Sequence, residues 1–220
     1  MKRCVNIVLT VMLVLLTAAA VALFVIRPSV LDHQRQLSEE RLLRGIEGGE
    51  LEYASLSVPA LADEDAVFGE LGLGGAAGEG ETFSLTCAGT LSIPSIDLEM
   101  PVAVGTDASI LRVALGWYPK SAEIGAEGNC VIFGRHLGRY GRHFNRLDEL
   151  KQWDTVTVTN GEGERFDYLV TDSVVVLPEE LPAALAEWKG GSTLTLVTDL
   201  GSGEGSHRLV VYAEPDTSVG

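Results

Sequence analysis

The chain has 220 residues, of which 46% are hydrophobic, so it is long enough and apolar enough to bury a core. Its net charge of −15 produces an acidic field that repels nucleic acid, and we expect no nucleic-acid partner. The three cysteines, Cys4, Cys87 and Cys130, have the spacing of neither a metal site nor a disulfide framework, so we expect no metal and no cofactor.

The first predicted element is a membrane anchor at the N-terminus. Residues 5–26 carry no charged side chain, and a helix of this length can cross a bilayer. Lys2 and Arg3 precede this segment, which predicts a cytoplasmic N-terminus and an extracytoplasmic C-terminal domain. We therefore predict a signal-anchor over residues 1–28 and a single-pass protein of the cell membrane. The alternative is a cleaved signal peptide, whose apolar region is typically only about 7–15 residues long.

Two connecting segments follow the anchor. Residues 29–48 space Val30, Leu37 and Leu42 roughly as a helix does, and the pattern ends at two glycines. We predict a juxtamembrane helix there, which offers a surface for a homodimer. Residues 49–83 are rich in Gly, Ala and Glu without sustained periodicity, which predicts a flexible acidic spacer.

From about Phe83 the sequence consists of short β-rich runs separated by turn residues. These runs are GTLSIPSI, MPVAVG, NCVIFG, DTVTVTN, RFDYLVTDSVVVL, STLTLVTD and HRLVVYAE. Only brief helical stretches are predicted between them, namely SILRVAL, FNRLDEL and EELPAALAEW. Many short strands in about 130 residues are typical of a closed β-barrel. We predict an all-β barrel of about eight strands with short helices over residues 84–215, followed by a tail over 216–220.

Three stretches of this region resemble, in order, the sequence landmarks of the sortases. They are GTLSIPSIDLEMPVAVG, GNCVIFGRHLGRYGRHFNRLDELKQWDTVTV, and STLTLVTD followed by SHRLVVYAE. The sortases are membrane-anchored cysteine transpeptidases of Gram-positive bacteria, and the resemblance covers residues 89–214. Within it, YGRHFNRLDEL is most similar to the class B and class D types. The resemblance implies a sortase-type barrel whose partner is a sorting-signal peptide, commonly of the LPXTG kind, or a cell-wall peptide.

The resemblance also implies three catalytic side chains, of which this sequence keeps one. In the family, a cysteine at a strand end is the nucleophile, a histidine is the general acid, and an arginine stabilises the oxyanion. The arginine matches Arg208, and the residue before the nucleophile matches Thr198. The nucleophile position falls on Asp199 and the histidine position on Arg135, with His136 one place later.

The two departures are chemically related. A carboxylate cannot replace the thiolate, because its attack on an amide would form a mixed anhydride. An arginine cannot act as a general acid, because its pKa of about 12 or above keeps it charged. Since Asp199 and Arg135 have opposite charges, we predict a bidentate ion pair between them, with Arg208 as a second cation. The sequence therefore favours a catalytically inactive homologue that binds peptides or acts as a scaffold.

The alternative is an active transpeptidase or hydrolase with a non-standard nucleophile. His136 could act as a displaced base, or form a water-activating pair with Asp199, if a bulge shifts the strand end by one residue. Cys130 is predicted to be a small buried hydrophobe, and Cys87 is predicted to precede the first barrel strand. A metal site formed by His136, His143 and Asp199 lacks any supporting ligand spacing.

Basic residues cluster after the predicted histidine position. Arg139 and Arg142 lie between Arg135 and Arg146 with nearly helical spacing, and the simplest interpretation is a solvated basic face. The alternative is an anion site at the cleft mouth, which would include Thr198, Arg139 and Arg142. Such a site could hold an acidic sorting peptide, a cell-wall carboxylate or the acidic spacer of the chain itself.

Overall fold

The computed structural model of the protein describes residues 85–136, 143–186, 190–200 and 206–218. Within these residues, eight β-strands close into a barrel. The strands are β1 (Cys87–Ile93), β2 (Leu98–Val104), β3 (Leu115–Trp117), β4 (Gly128–Phe133), β5 (Thr155–Asn160), β6 (Arg165–Val176), β7 (Ser192–Leu200) and β8 (His207–Pro215). The helices of the described residues are α1 (Leu181–Ala186) and the short 3₁₀ helices Pro94–Ile96, Leu147–Glu149 and Pro178–Glu180. The predicted barrel is confirmed.

Three local predictions differ from the structure. The stretch SILRVAL forms turns, in which the N–H groups of Leu111 and Ala114 bond to carbonyls four residues earlier. The turn stops at Leu115 because this residue opens β3, which was not predicted. In FNRLDEL only Leu147–Glu149 is helical. Cys87 does not precede the first strand but opens it.

The order of the strands brings distant parts of the chain to one edge of the barrel. Around the barrel the order is β1-β2-β3-β4-β7-β8-β6-β5. β4 and β7 are parallel neighbours, with Phe133 opposite Val197, so both strands end at the same edge. β8 is antiparallel to β7 and therefore begins at that edge. The segments that follow β4 and β7 thus meet the first residues of β8.

Side-chain alternation divides the strands between two apolar clusters. Leu194 and Leu196 of β7 belong to the large cluster that fills the barrel. Val197 belongs to a second cluster, which packs on the outer face of the barrel against Leu181 and Ala184 of α1. The outer face of β7 is therefore the face covered by α1.

The predicted anchor, juxtamembrane helix and acidic spacer lie outside the described residues. In the parts of the chain that the structure does describe, no helix is long and apolar enough to cross a membrane.

Candidate functional site

Asp199 and Arg208 face each other at the joined ends of β7 and β8. They are direct partners in the antiparallel register. Alternation places Asp199 on the same face as Val197, and Arg208 on the same face as Val210, and both valines belong to the outer cluster. Both side chains are buried, with 8% of Asp199 and 5% of Arg208 exposed. The strand pairing thus brings an acid and a base together on the outer face.

The Asp199 carboxylate is held by the main chain that follows β4. Its Oδ1 accepts a hydrogen bond from the backbone N–H of His136 at 3.0 Å. This bond links residues 63 positions apart, and sequence reasoning missed it because a backbone donor has no signature in the sequence. The bidentate ion pair between Asp199 and Arg135 stays a prediction.

The segment that carries Arg135 is fixed by backbone bonds and close packing. The N–H of Gly134 donates to the Val197 carbonyl at 2.9 Å, which extends the β4–β7 ladder past the end of β4. The N–H of Phe144 donates to the Arg135 carbonyl at 3.1 Å. A Cβ at position 134 would lie 2.4 Å from the Phe144 ring, so only glycine fits there. Arg135 itself is buried, with 8% exposed.

Arg208 is oriented from its own side of the site. Its Nη1 donates to the Ser206 carbonyl at 3.0 Å and to the Ser206 hydroxyl at 2.8 Å. These two bonds hold the guanidinium group close to the start of β8. A buried, oriented guanidinium group of this kind can stabilise an anion, such as a carboxylate or an oxyanion.

The other predicted site residues lie elsewhere or are not described. Thr198 is fully buried and pairs with Leu209, which belongs to the interior cluster. The structure therefore separates Thr198 from the face of Asp199 and Arg208, because neighbouring residues of a strand point to opposite faces. Arg139 and Arg142 lie outside the described residues. Arg146 is ion-paired with Glu149 at 2.8 Å.

The two histidines of the region differ in their environment. His136 is half-buried, and its Nδ1 atom is buried with no hydrogen-bond partner among the described residues. Its main-chain N–H donates to Asp199. A role of its imidazole as a displaced base stays a prediction. His143 is buried in a left-handed conformation with φ of 58°, and its N–H contacts the Met100 sulfur at 3.0 Å.

The two described cysteines lie away from the Asp199–Arg208 pair. Cys130 of β4 belongs to the interior cluster, and burial raises the pKa of its thiol to about 12. Cys87 lies in β1, which is on the opposite wall of the barrel from β7. Burial also raises the pKa of the Cys87 thiol, so both thiols are protonated at neutral pH and poorly nucleophilic.

The described residues contain no group of three or more His, Cys, Asp or Glu side chains that could hold a metal ion. The titratable residues described at this edge are Asp199, the buried Arg135 and Arg208, and the half-buried His136.

A closed eight-stranded barrel, with an arginine at the start of β8 facing the end of β7, defines a barrel domain of the sortase type. A family model for the Sortase domain matches residues 91–216. Because this match covers more than half of the chain, the chain belongs to the sortase family.

Individual relatives agree with this assignment. Sortase A of Bacillus anthracis is 30% identical over 127 residues, which is 57% of this chain and 58% of that protein. Sortase C-1 from Actinomyces oris superposes with a TM-score of 0.54 and 31% identity, over 58% of this chain and 72% of that one. Sortase E from Streptomyces avermitilis gives a TM-score of 0.51 and 28% identity, over 60% and 88% of the two chains. The chain spans less than two thirds of the length of the curated relatives that it matches. The resemblance to classes B and D stays a prediction.

Substitution of Asp199 tests the bond between its carboxylate and the main chain. We expect Asp199→Ala to lower the free energy of unfolding by about 1–3 kcal/mol, because the partly buried N–H of His136 loses its acceptor. Asp199→Asn keeps an acceptor oxygen, and we expect less than about half of that loss. Urea unfolding of the full-length protein in detergent, followed by tryptophan fluorescence, measures both. Equal stability of the alanine variant and the unchanged protein would contradict this role.

Proposed function

We propose that this chain is a catalytically inactive member of the sortase family. It is tethered to the cell membrane by an N-terminal single-pass helix, with its barrel outside the cytoplasm. There it binds sorting-signal or cell-wall peptides, or acts as a scaffold for proteins that carry them. The observation that carries the proposal is the carboxylate of Asp199, which stands opposite Arg208 where the resemblance expects a thiol.

The chemistry of the site supports this proposal. Transpeptidation needs a nucleophile that forms an acyl intermediate and a group that protonates the leaving amine. Asp199 is unsuited to the first role because an acyl carboxylate is a mixed anhydride, which an amide does not readily form. Position 135 is unsuited to the second role because an arginine side chain is not a general acid.

The positions of the thiols argue against the alternative of an active enzyme with another cysteine nucleophile. Cys130 lies inside the barrel with a pKa of about 12, and Cys87 lies on the opposite wall. Neither thiol shares the outer face of Asp199 and Arg208. The site offers two buried arginines, Arg135 and Arg208, and guanidinium groups are suited to binding an anionic group.

A peptide cleavage assay tests the proposal. The full-length protein in detergent is incubated with a fluorogenic LPXTG peptide and with an amine acceptor. We expect no turnover above the peptide alone, and no mass increase of the protein corresponding to an acyl adduct. Turnover that iodoacetamide abolishes would overturn the proposal and implicate a cysteine, and the labelled residue would be identified by peptide mapping.

A further inference from the structure

A concave surface lies on the outer face of β6, β8 and β7, where the connection from β6 to β7 folds over the sheet. It is a groove of about 600 Å³. Its apolar floor includes Val174 and Val176 of β6, Tyr212 of β8 and Ala184 of α1. Thr195 marks its end on β7, four residues before Asp199, which is about 13 Å along the strand. On β6, however, the groove reaches Val176, which pairs directly with Arg208, so at this end the groove adjoins the site described above.

The rim of this groove is acidic. The carboxylates that line it are Asp172, Glu179, Glu180 and Glu214, and all four residues are exposed. Among the described residues that line the groove, none is a lysine or an arginine. The groove thus combines an apolar floor with a rim of a single charge sign, which attracts cations and repels anionic bilayers.

The groove is held in shape by hydrogen bonds on both sides of α1. On one side, the Tyr212 hydroxyl donates to the Ala184 carbonyl at 3.1 Å. On the other side, the Asn129 amide donates to the Leu185 carbonyl at 3.0 Å, and the Thr195 hydroxyl donates to Asn129 at 2.7 Å. These bonds fix α1 to strands β8, β4 and β7. A ligand therefore meets a preformed groove and does not have to open it.

We propose that this groove binds a basic, amphipathic peptide segment of a partner protein in an extended conformation. In an extended peptide, alternate side chains point to opposite sides, so apolar residues can pack on Val174, Val176 and Tyr212. The intervening lysines or arginines then reach the carboxylates of the rim. The volume of the groove suits a few residues, and its concave form favours a peptide over a flat lipid surface. This interaction is independent of whether the Asp199 site is active.

Fluorescence anisotropy with designed peptides tests the proposal. The full-length protein in detergent is titrated into rhodamine-labelled LKVKLKVK, and into the matched peptides LSVSLSVS and LEVELEVE. We expect the lysine peptide to bind more tightly than the serine peptide by about tenfold, with an affinity that falls as salt is added. The glutamate peptide should not bind. Equal affinity for the lysine and serine peptides, or no binding of the lysine peptide, would overturn the proposal.

Paired variants show whether the groove is the binding site. We expect Glu179→Gln with Glu214→Gln to weaken binding of the lysine peptide by about threefold to tenfold. Asp172→Asn removes only one charge from the same rim, and we expect it to weaken binding of the lysine peptide less than the double variant does. The control is Glu127→Gln with Asp148→Asn, which removes the same charge from exposed residues outside the groove. An equal loss of affinity in the control variant would assign the binding to the general acidic field and overturn the proposal.

Discussion

Replacement of Asp199 by cysteine and of Arg135 by histidine is expected to restore cleavage of a sorting-signal peptide. The new thiol would lie on the outer face of β7, directly opposite Arg208. The new imidazole would stand next to it, because the main chain at His136 already contacts the side chain at position 199. A nucleophile and a general acid together contribute roughly 10²-fold or more to such reactions, so turnover should rise at least that far above background. Peptide cleavage and mass spectrometry of the acyl adduct measure the result.

Two controls make this experiment specific. Leu200→Cys with Arg135→His places the thiol one residue later, on the other face of the strand, and should stay inactive. Addition of Arg208→Ala to the active double variant should abolish turnover, because the oxyanion loses its oriented cation. If the folded double variant shows neither cleavage nor an adduct, the departures at positions 199 and 135 do not by themselves explain the lack of activity.

Phe144→Ala is expected to cause the largest loss of stability. Phe144 is fully buried in the interior cluster, and its ring lies against the backbone of Gly134. Removing a buried phenylalanine ring typically costs about 3–5 kcal/mol, which is a large part of the total stability of a domain. The void would also loosen the segment of Arg135, whose carbonyl bonds to the Phe144 N–H. Urea unfolding of the full-length protein measures the change.

The matched control is Trp153→Ala. Trp153 is also aromatic, but 64% of it is exposed. Its removal is therefore expected to change the free energy of unfolding by less than about 0.5 kcal/mol. A similar loss of unfolding free energy in the two variants would contradict the importance of buried Phe144 for the stability of the barrel.

The strands could be predicted from the sequence where apolar and polar residues alternate over several positions. In β5 apolar and polar residues alternate, and the buried positions follow that alternation. In β7 the residues alternate as well, but every position from Leu194 to Asp199 is buried, because α1 covers the outer face of this strand. β3 was missed because it has only three residues, and it exists through pairing with β2 and β4, which are distant in the sequence from each other. The turns of residues 108–113 have helix-like spacing, but β3 begins before a helix can form.

The chemical groups of the site could be predicted from the sequence, but the main-chain contact that holds Asp199 could not. That Asp199 follows a strand and that Arg208 opens the next one can be read from the residues, and the register confirms that they are partners. The bond from the His136 main chain to Asp199 could not be read, because every residue except proline carries the same N–H group. The burial of Thr198 in the interior follows from strand alternation. The anion site that includes Thr198, Arg139 and Arg142 stays a prediction.

The sequence by itself determined the strand-forming segments and the chemical groups available at positions 135, 199 and 208, since both depend on the residues themselves. Tertiary structure alone decided that β4 lies parallel to β7, and that this pairing brings the His136 main chain against Asp199. It also decided that α1 covers the outer sheet beside an acidic groove. The reason is physical: the pairing of strands far apart in the chain depends on closing the whole barrel around one core, and no local segment specifies that closure.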